Sequence, residues 1–230
     1  MNESEFDKFA SEYQEMHAAN IRASGEGPEF FARYKIEDVA AMLGQRAQDH
    51  LHVLDFGAGV GTSIPYFRTL LPQARLTCLD VSRKSLDLGR RRYPGQADFV
   101  IFDGCTLPFP DNTFDLVFSA CVFHHIPHTE HPALLQEFRR VLRAGGACVI
   151  FEHNPLNPLT VQAVNTCPFD ENAVLIKAAD FNLRLRHANF AEVGHRFRIF
   201  FPAILRQLRF LEPFLAWLPL GAQYYVTGRK

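Results

Sequence analysis

Three glycines at alternate positions, Gly57, Gly59 and Gly61, follow directly on the apolar run His52-Val53-Leu54-Asp55-Phe56. The run reads as a buried strand, and the glycines as a tight turn into a helix that opens near Thr62. A side chain at such a turn would keep the backbone away from a ligand, and a positive φ is cheap only for glycine. The helix start beyond it offers free N–H groups and a partial positive charge. Strand, glycine turn and helix together make a nucleotide cradle.

Spacing narrows the nucleotide. A dinucleotide fingerprint runs Gly-x-Gly-x-x-Gly and seats a pyrophosphate on the helix N-terminus. Here the third glycine falls one place early. Asp55, two residues before the turn, would repel a phosphate but attract an ammonium, directly or through water. On these residues the stretch Val53 to Gly61 resembles motif I of the class I S-adenosylmethionine (SAM) dependent methyltransferases, whose order of motifs most of the chain follows. SAM carries an α-amino group and a sulfonium but no phosphate.

That resemblance implies an α/β fold: a Rossmann-like, seven-stranded, mostly parallel sheet of order 3-2-1-4-5-7-6, with helices on both faces and an N-terminal helical lid. It implies SAM as cofactor, S-adenosylhomocysteine as product, and a cofactor set of Asp55, Gly57, Ala58, Gly59 and Gly61 with Asp80, Val81, Asp103, Gly104 and Ser119. Asp80 ends a second strand, Arg75–Leu79, 19 residues beyond Gly61, where an acid can accept bonds from both ribose hydroxyls. NAD sites share that geometry, so Asp80 alone does not discriminate. Val81 would lie beside the adenine. Asp103 follows a third strand, Asp98–Phe102, and matches the family's contact to the adenine amino group; the alternative is a plain turn residue. The loop Leu107–Asp111 and the strand Phe114–Phe118 resemble a stretch common in small-molecule methyltransferases.

Past this fourth strand comes Ser119-Ala120-Cys121-Val122-Phe123-His124-His125, at the strand ends where open α/β sheets bind ligands. His124 and His125 match a pair frequent in the family, and one of them is a candidate general base; a structural role is the alternative. The Asp/Asn-Pro-Pro-Tyr/Phe signature of amide and nucleic-acid amino-group methylation is absent. Cys121 follows alanine, whereas the nucleophilic cysteine of pyrimidine C5 methylation usually follows proline. A helix over 130–142 and a fifth strand over 147–151 then deliver Glu152, His153 and Asn154 to the same edge. Three polar groups in a row are costly to bury without partners, so Glu152 and His153 are candidates for substrate binding or proton transfer, against a loop-shaping role for Glu152 and Asn154. No metal-ligand cluster is evident.

The chain of 230 residues is read as one domain: a lid over 1–47, a core over 48–200, an apolar insertion over 201–222 and a last strand over 223–228. The lid comprises helices over 4–20 and 28–47, from which Tyr13, Arg33 and Tyr34 are candidates for closing the site. A helix over 178–188 turns at Asn189-Phe190, where relatives commonly have Gly-Phe, and asparagine tolerates the left-handed conformation. A net charge of −1 argues against a nucleic-acid partner. Charge is uneven, however: residues 1–40 carry nine acids and four bases, and residues 181–230 carry seven arginines and one lysine against two acids. Five scattered cysteines suit reduced thiols. The N-terminus lacks an apolar leader, and no run reaches the roughly 18 apolar residues of a membrane span, so a cytoplasmic protein is expected.

Insertion 201–222 sets Ile204, Phe210, Phe214 and Trp217 among Arg206 and Arg209. It reads as an amphipathic helix that packs on the core, pairs with a second copy in a homodimer, or gives peripheral membrane contact. The activity implied is methyl transfer to a small or lipid-linked acceptor. A SAM-binding scaffold without chemistry shares every cofactor motif. A short-chain oxidoreductase needs Tyr-x-x-x-Lys, and none of the six tyrosines has a lysine four residues on.

Overall fold

The structure, a computed structural model, describes residues 25–230; the expected helix over 4–20, with Tyr13, lies outside the described residues. Seven strands form one sheet of order β3-β2-β1-β4-β5-β7-β6. They are β1 (His52–Phe56), β2 (Arg75–Asp80), β3 (Asp98–Ile101), β4 (Phe114–Ala120), β5 (Leu142–His153), β6 (Ala191–Arg198) and β7 (Gln223–Arg229). All pairs are parallel except β5–β7 and β6–β7, so β7 enters antiparallel between β5 and β6.

Side-chain alternation splits the core in two. Leu54 and Phe56 of β1 and Val117 of β4 face a layer that includes Phe123, Phe138 and Phe181. Val53, Leu116 and Phe118 face the other layer, with Ile36 and Phe67. Phe56 meets Phe138 edge-on at 5.0 Å, and Phe67 meets Phe118 at 5.3 Å; each fully buried ring contributes roughly 1.5–3 kcal/mol. Helices α2 (Ile64–Leu70), α3 (Arg83–Arg92), α4 (His131–Val141), α5 (Pro158–Thr166) and α6 (Ala178–His187) connect the strands. Ser82 caps α3 through its side chain, and Asn189 takes the left-handed turn after α6 with φ 63°.

Helix α1 (Pro28–Leu43) starts on a proline and stops at Gly44, where φ is 58°; Gly44–Gln48 continues as a tighter helical turn. Phe31 and Tyr34 are buried against the second layer, and Tyr34 packs on Phe151 at 5.9 Å. Arg33 instead lies exposed and pairs with Glu37 at 2.7 Å. It does not turn toward the site.

The insertion is not one amphipathic helix. Ala203–Leu211 is a tight helical run kinked at Leu205, and Glu212–Leu215 adds one α-turn. Pro202, Pro213 and Pro219 remove donors that a continuous helix needs. Buried Glu212 pins the segment, accepting the N–H groups of Ile199, Phe200 and Phe201 at 3.1–3.3 Å. Ala216 is buried, but the larger apolar residues Ile204, Phe210, Phe214 and Trp217 do not pack on the core and are 69–89 % exposed.

Candidate functional site

The C-terminal ends of β1, β4 and β5 open into a cavity of about 320 Å³, closed on one side by Phe31 and Lys35 of α1. Gly57, Ala58 and Gly59 form its glycine-turn wall. Gly57 has φ 72°, and a Cβ there would lie 2.3 Å from Val122 Cγ2; only glycine fits. Gly59, at φ 53°, has open space where a Cβ would stand. Gly61, at φ 79°, packs instead on Ile64 of α2.

Asp55 lines the cavity although only 2 % exposed, and its Oδ2 has no hydrogen-bond partner among the described residues. Burial first, and the Asp80 charge second, push its pKa up to about 7, against the pull of Lys35. An unsatisfied buried carboxylate costs on the order of 1–3 kcal/mol or more, and a cationic ligand group relieves that cost.

Asp80 lies at the tip of β2, accepting Gly59 N–H and Ser82 N–H at 2.8 Å each. It braces the glycine turn. Asp80, Val81, Asp103, Gly104 and Ser119 do not line the cavity itself. Asp103 is exposed and accepts the N–H groups of Cys105 and Thr106, which holds its pKa low; it makes a turn. Gly104 follows with φ 88°. Ser119 is fully buried beside Phe56, its Oγ without a partner among the described residues.

A further part of the wall is polar. His124 and His125 lie on a short helical turn after β4, and His153 ends β5; all three line the cavity. Glu152 does not. Its Oε1 accepts Val122 N–H and Phe123 N–H at 3.1 and 2.8 Å, and its Oε2 meets His124 Nδ1 at 2.5 Å. Burial acts to lower the His124 pKa, but Glu152 and Asp170 together raise it to about 10. The two carboxylates therefore favour the protonated form of His124. Burial and the His124 charge depress His125 to about 3 and His153 to about 4, so both are neutral. Gln223 Nε2 reaches His153 Nδ1 at 3.3 Å. Asn154 shapes the loop, donating to the carbonyls of Pro219 and Gly221.

Sequence reasoning missed several participants. Lys35 is 8 % exposed with Nζ 3.5 Å from Cys121 Sγ; a lone lysine in a helix carries no signal. Gln223 joins Tyr34, Cys121 and His153 from the start of β7. Asp170 lies 3.6 Å from His124 and 3.4 Å from His125. These three residues form a cluster that could hold a metal ion, which sequence spacing did not reveal.

Residues 54–150 match the methyltransferase domain family. The chain is 32% identical over 124 residues to the ubiquinone/menaquinone biosynthesis C-methyltransferase of Hahella chejuensis, covering 51% of this chain and 49% of that protein. It is 31% identical over 171 residues to the enzyme of the same name from Ectopseudomonas mendocina, covering 71% and 62%. The chain thus spans about half to three-fifths of these relatives' length. Its fold is similar to the crystal structure of a SAM-dependent methyltransferase from Thermotoga maritima, at TM-score 0.69 and 16% identity over 99% of both chains.

Proposed function

We propose that this chain, which resembles the class I SAM-dependent methyltransferases in sequence and fold, transfers a methyl group from SAM to an apolar, lipid-linked acceptor. The observation that carries the reading is the partnerless Asp55 carboxylate on the cavity wall formed by the glycine turn. A phosphate-bearing dinucleotide would meet that charge unfavourably, and an amino acid ammonium favourably. Asp55 holds the ammonium, the backbone around Gly57–Gly59 receives the nucleoside part, and Asp80 takes the ribose hydroxyls.

SAM supplies a methyl group already activated by its sulfonium. The protein's share is to align the acceptor with that methyl and to exclude water, an effect that contributes up to roughly 7–11 kcal/mol. His124, held through Nδ1 by Glu152, and the neutral His153 ring line the cavity and are the polar groups within reach of an acceptor oxygen. Phe31 of α1 closes the cavity from above.

Two observations support an apolar acceptor. Leu159, 74 % exposed, stands at the cavity rim with Phe200 and Pro202, and the two curated relatives carry quinone-biosynthesis names. No helix among the described residues is long and apolar enough to cross a membrane. The exposed Ile204, Phe210, Phe214 and Trp217, with exposed Arg206 among them, instead give peripheral contact with an anionic lipid surface.

Incubation with methyl-labelled SAM and a bacterial lipid extract tests this function. Label entering the organic phase, with S-adenosylhomocysteine formed in step, is expected. Tight SAM binding with no label in any lipid, sugar or small-molecule fraction would favour the non-catalytic binding protein.

A further inference from the structure

His124, His125 and Asp170 converge on the cavity wall. One donor atom from each lies within 4.8 Å of the others. Asp170 Oδ1 is 3.4 Å from His125 Nε2 and 3.6 Å from His124 Nε2. Charge-assisted imidazole–carboxylate bonds close to about 2.7–2.9 Å, so these ion pairs are longer than tight ones. A tetrahedral ion with bonds of about 2.0–2.2 Å separates its ligands by roughly 3.4 Å. The spacing found is that of a coordination edge.

A second observation points the same way. Glu152 Oε2 holds His124 Nδ1 at 2.5 Å, and its Oε1 is fixed by two backbone N–H groups. A buried carboxylate that orients an imidazole by its far nitrogen is the arrangement that supports histidines on metals. The side chains are 1 % exposed for His124 and 9 % for His125 and Asp170, so the cluster is largely shielded from bulk water.

We propose that His124 Nε2, His125 Nε2 and Asp170 bind one divalent transition-metal ion, which displaces the Nε2 proton of His124 to solvent while Nδ1–H stays on Glu152, with a fourth position open to the cavity. Two imidazoles and one carboxylate suit zinc or ferrous iron better than magnesium or calcium. The open position would take an oxygen ligand, such as the hydroxyl or carbonyl of a molecule held in the cavity. Metal binding here stands apart from the reading of Asp55 and the glycine turn.

The test uses the full chain, stripped with a chelator and titrated with zinc chloride by calorimetry, with bound zinc counted after desalting. One zinc per chain is expected. Asp170→Asn and His125→Ala should each weaken binding at least tenfold, and Glu152→Gln, which touches no metal, about tenfold. Wild type that retains no zinc, or variants that retain as much, would overturn the proposal. Cobalt(II) added to the wild type covers the case of a variant that misfolds: intense tetrahedral absorption bands are expected, and a weak octahedral spectrum counts against the site. SAM titrated into the same samples separates the two readings, since SAM binding without zinc sinks only the metal site.

Discussion

Asp55 is buried at 2 % exposure with one oxygen unpartnered among the described residues, and its pKa near 7 makes ligand binding depend on pH. Below about pH 7 the group is neutral in the free protein and its hold on an ammonium is lost; above, it is charged. SAM affinity should therefore rise between about pH 6 and pH 8, by up to about tenfold for each pH unit below the pKa. Asp55→Asn should flatten the profile and weaken binding at the upper end, as read by calorimetry across that range; a flat wild-type profile contradicts the role. Gly57→Ala should cost about 2–4 kcal/mol in urea unfolding, since φ is 72° and the new Cβ meets Val122 at 2.3 Å. An unchanged midpoint would mean that the turn is not held as described. Both residues were legible in the sequence because their signals are local. The Asp170 contact was not, because it joins residues 46 positions apart through the fold.

At the scale of elements, strands and helices of the core were legible from apolar runs and from punctuation by glycine and proline. The insertion was misread because hydrophobic spacing alone suggested a helix, while three prolines and one buried glutamate decided otherwise. Glu212→Ala should leave three N–H groups, those of Ile199, Phe200 and Phe201, without their acceptor, at a cost of about 1–3 kcal/mol for each that stays buried and unsatisfied. Hydrogen exchange at Phe200 and Phe201 should then quicken while the β1 amides keep their protection. Uniform quickening across the sheet would show that Glu212 supports the whole fold and not the insertion.

Across the whole molecule, sheet order followed from the motif order, but the cavity did not. It is assembled from α1, the glycine turn, the ends of β4 and β5 and the start of β7, segments that share no sequence pattern. Of the seven arginines and one lysine in residues 181–230, Arg206 lies exposed within the aromatic segment, whereas Arg209 pairs with Glu26 at 2.7 Å. Trp217, the single tryptophan and 73 % exposed, reports on that segment's exposed face. Vesicles with anionic headgroups should shift its fluorescence to the blue, and Arg206→Glu or high salt should reduce the shift. No shift, with a homodimer seen by sedimentation, would assign the face to a second copy instead. The most direct measurement is calorimetry of SAM, S-adenosylhomocysteine and NAD on the wild-type chain. Saturable one-site binding of the first two and no heat from the third is predicted; binding of NAD, or none of SAM, would contradict the account.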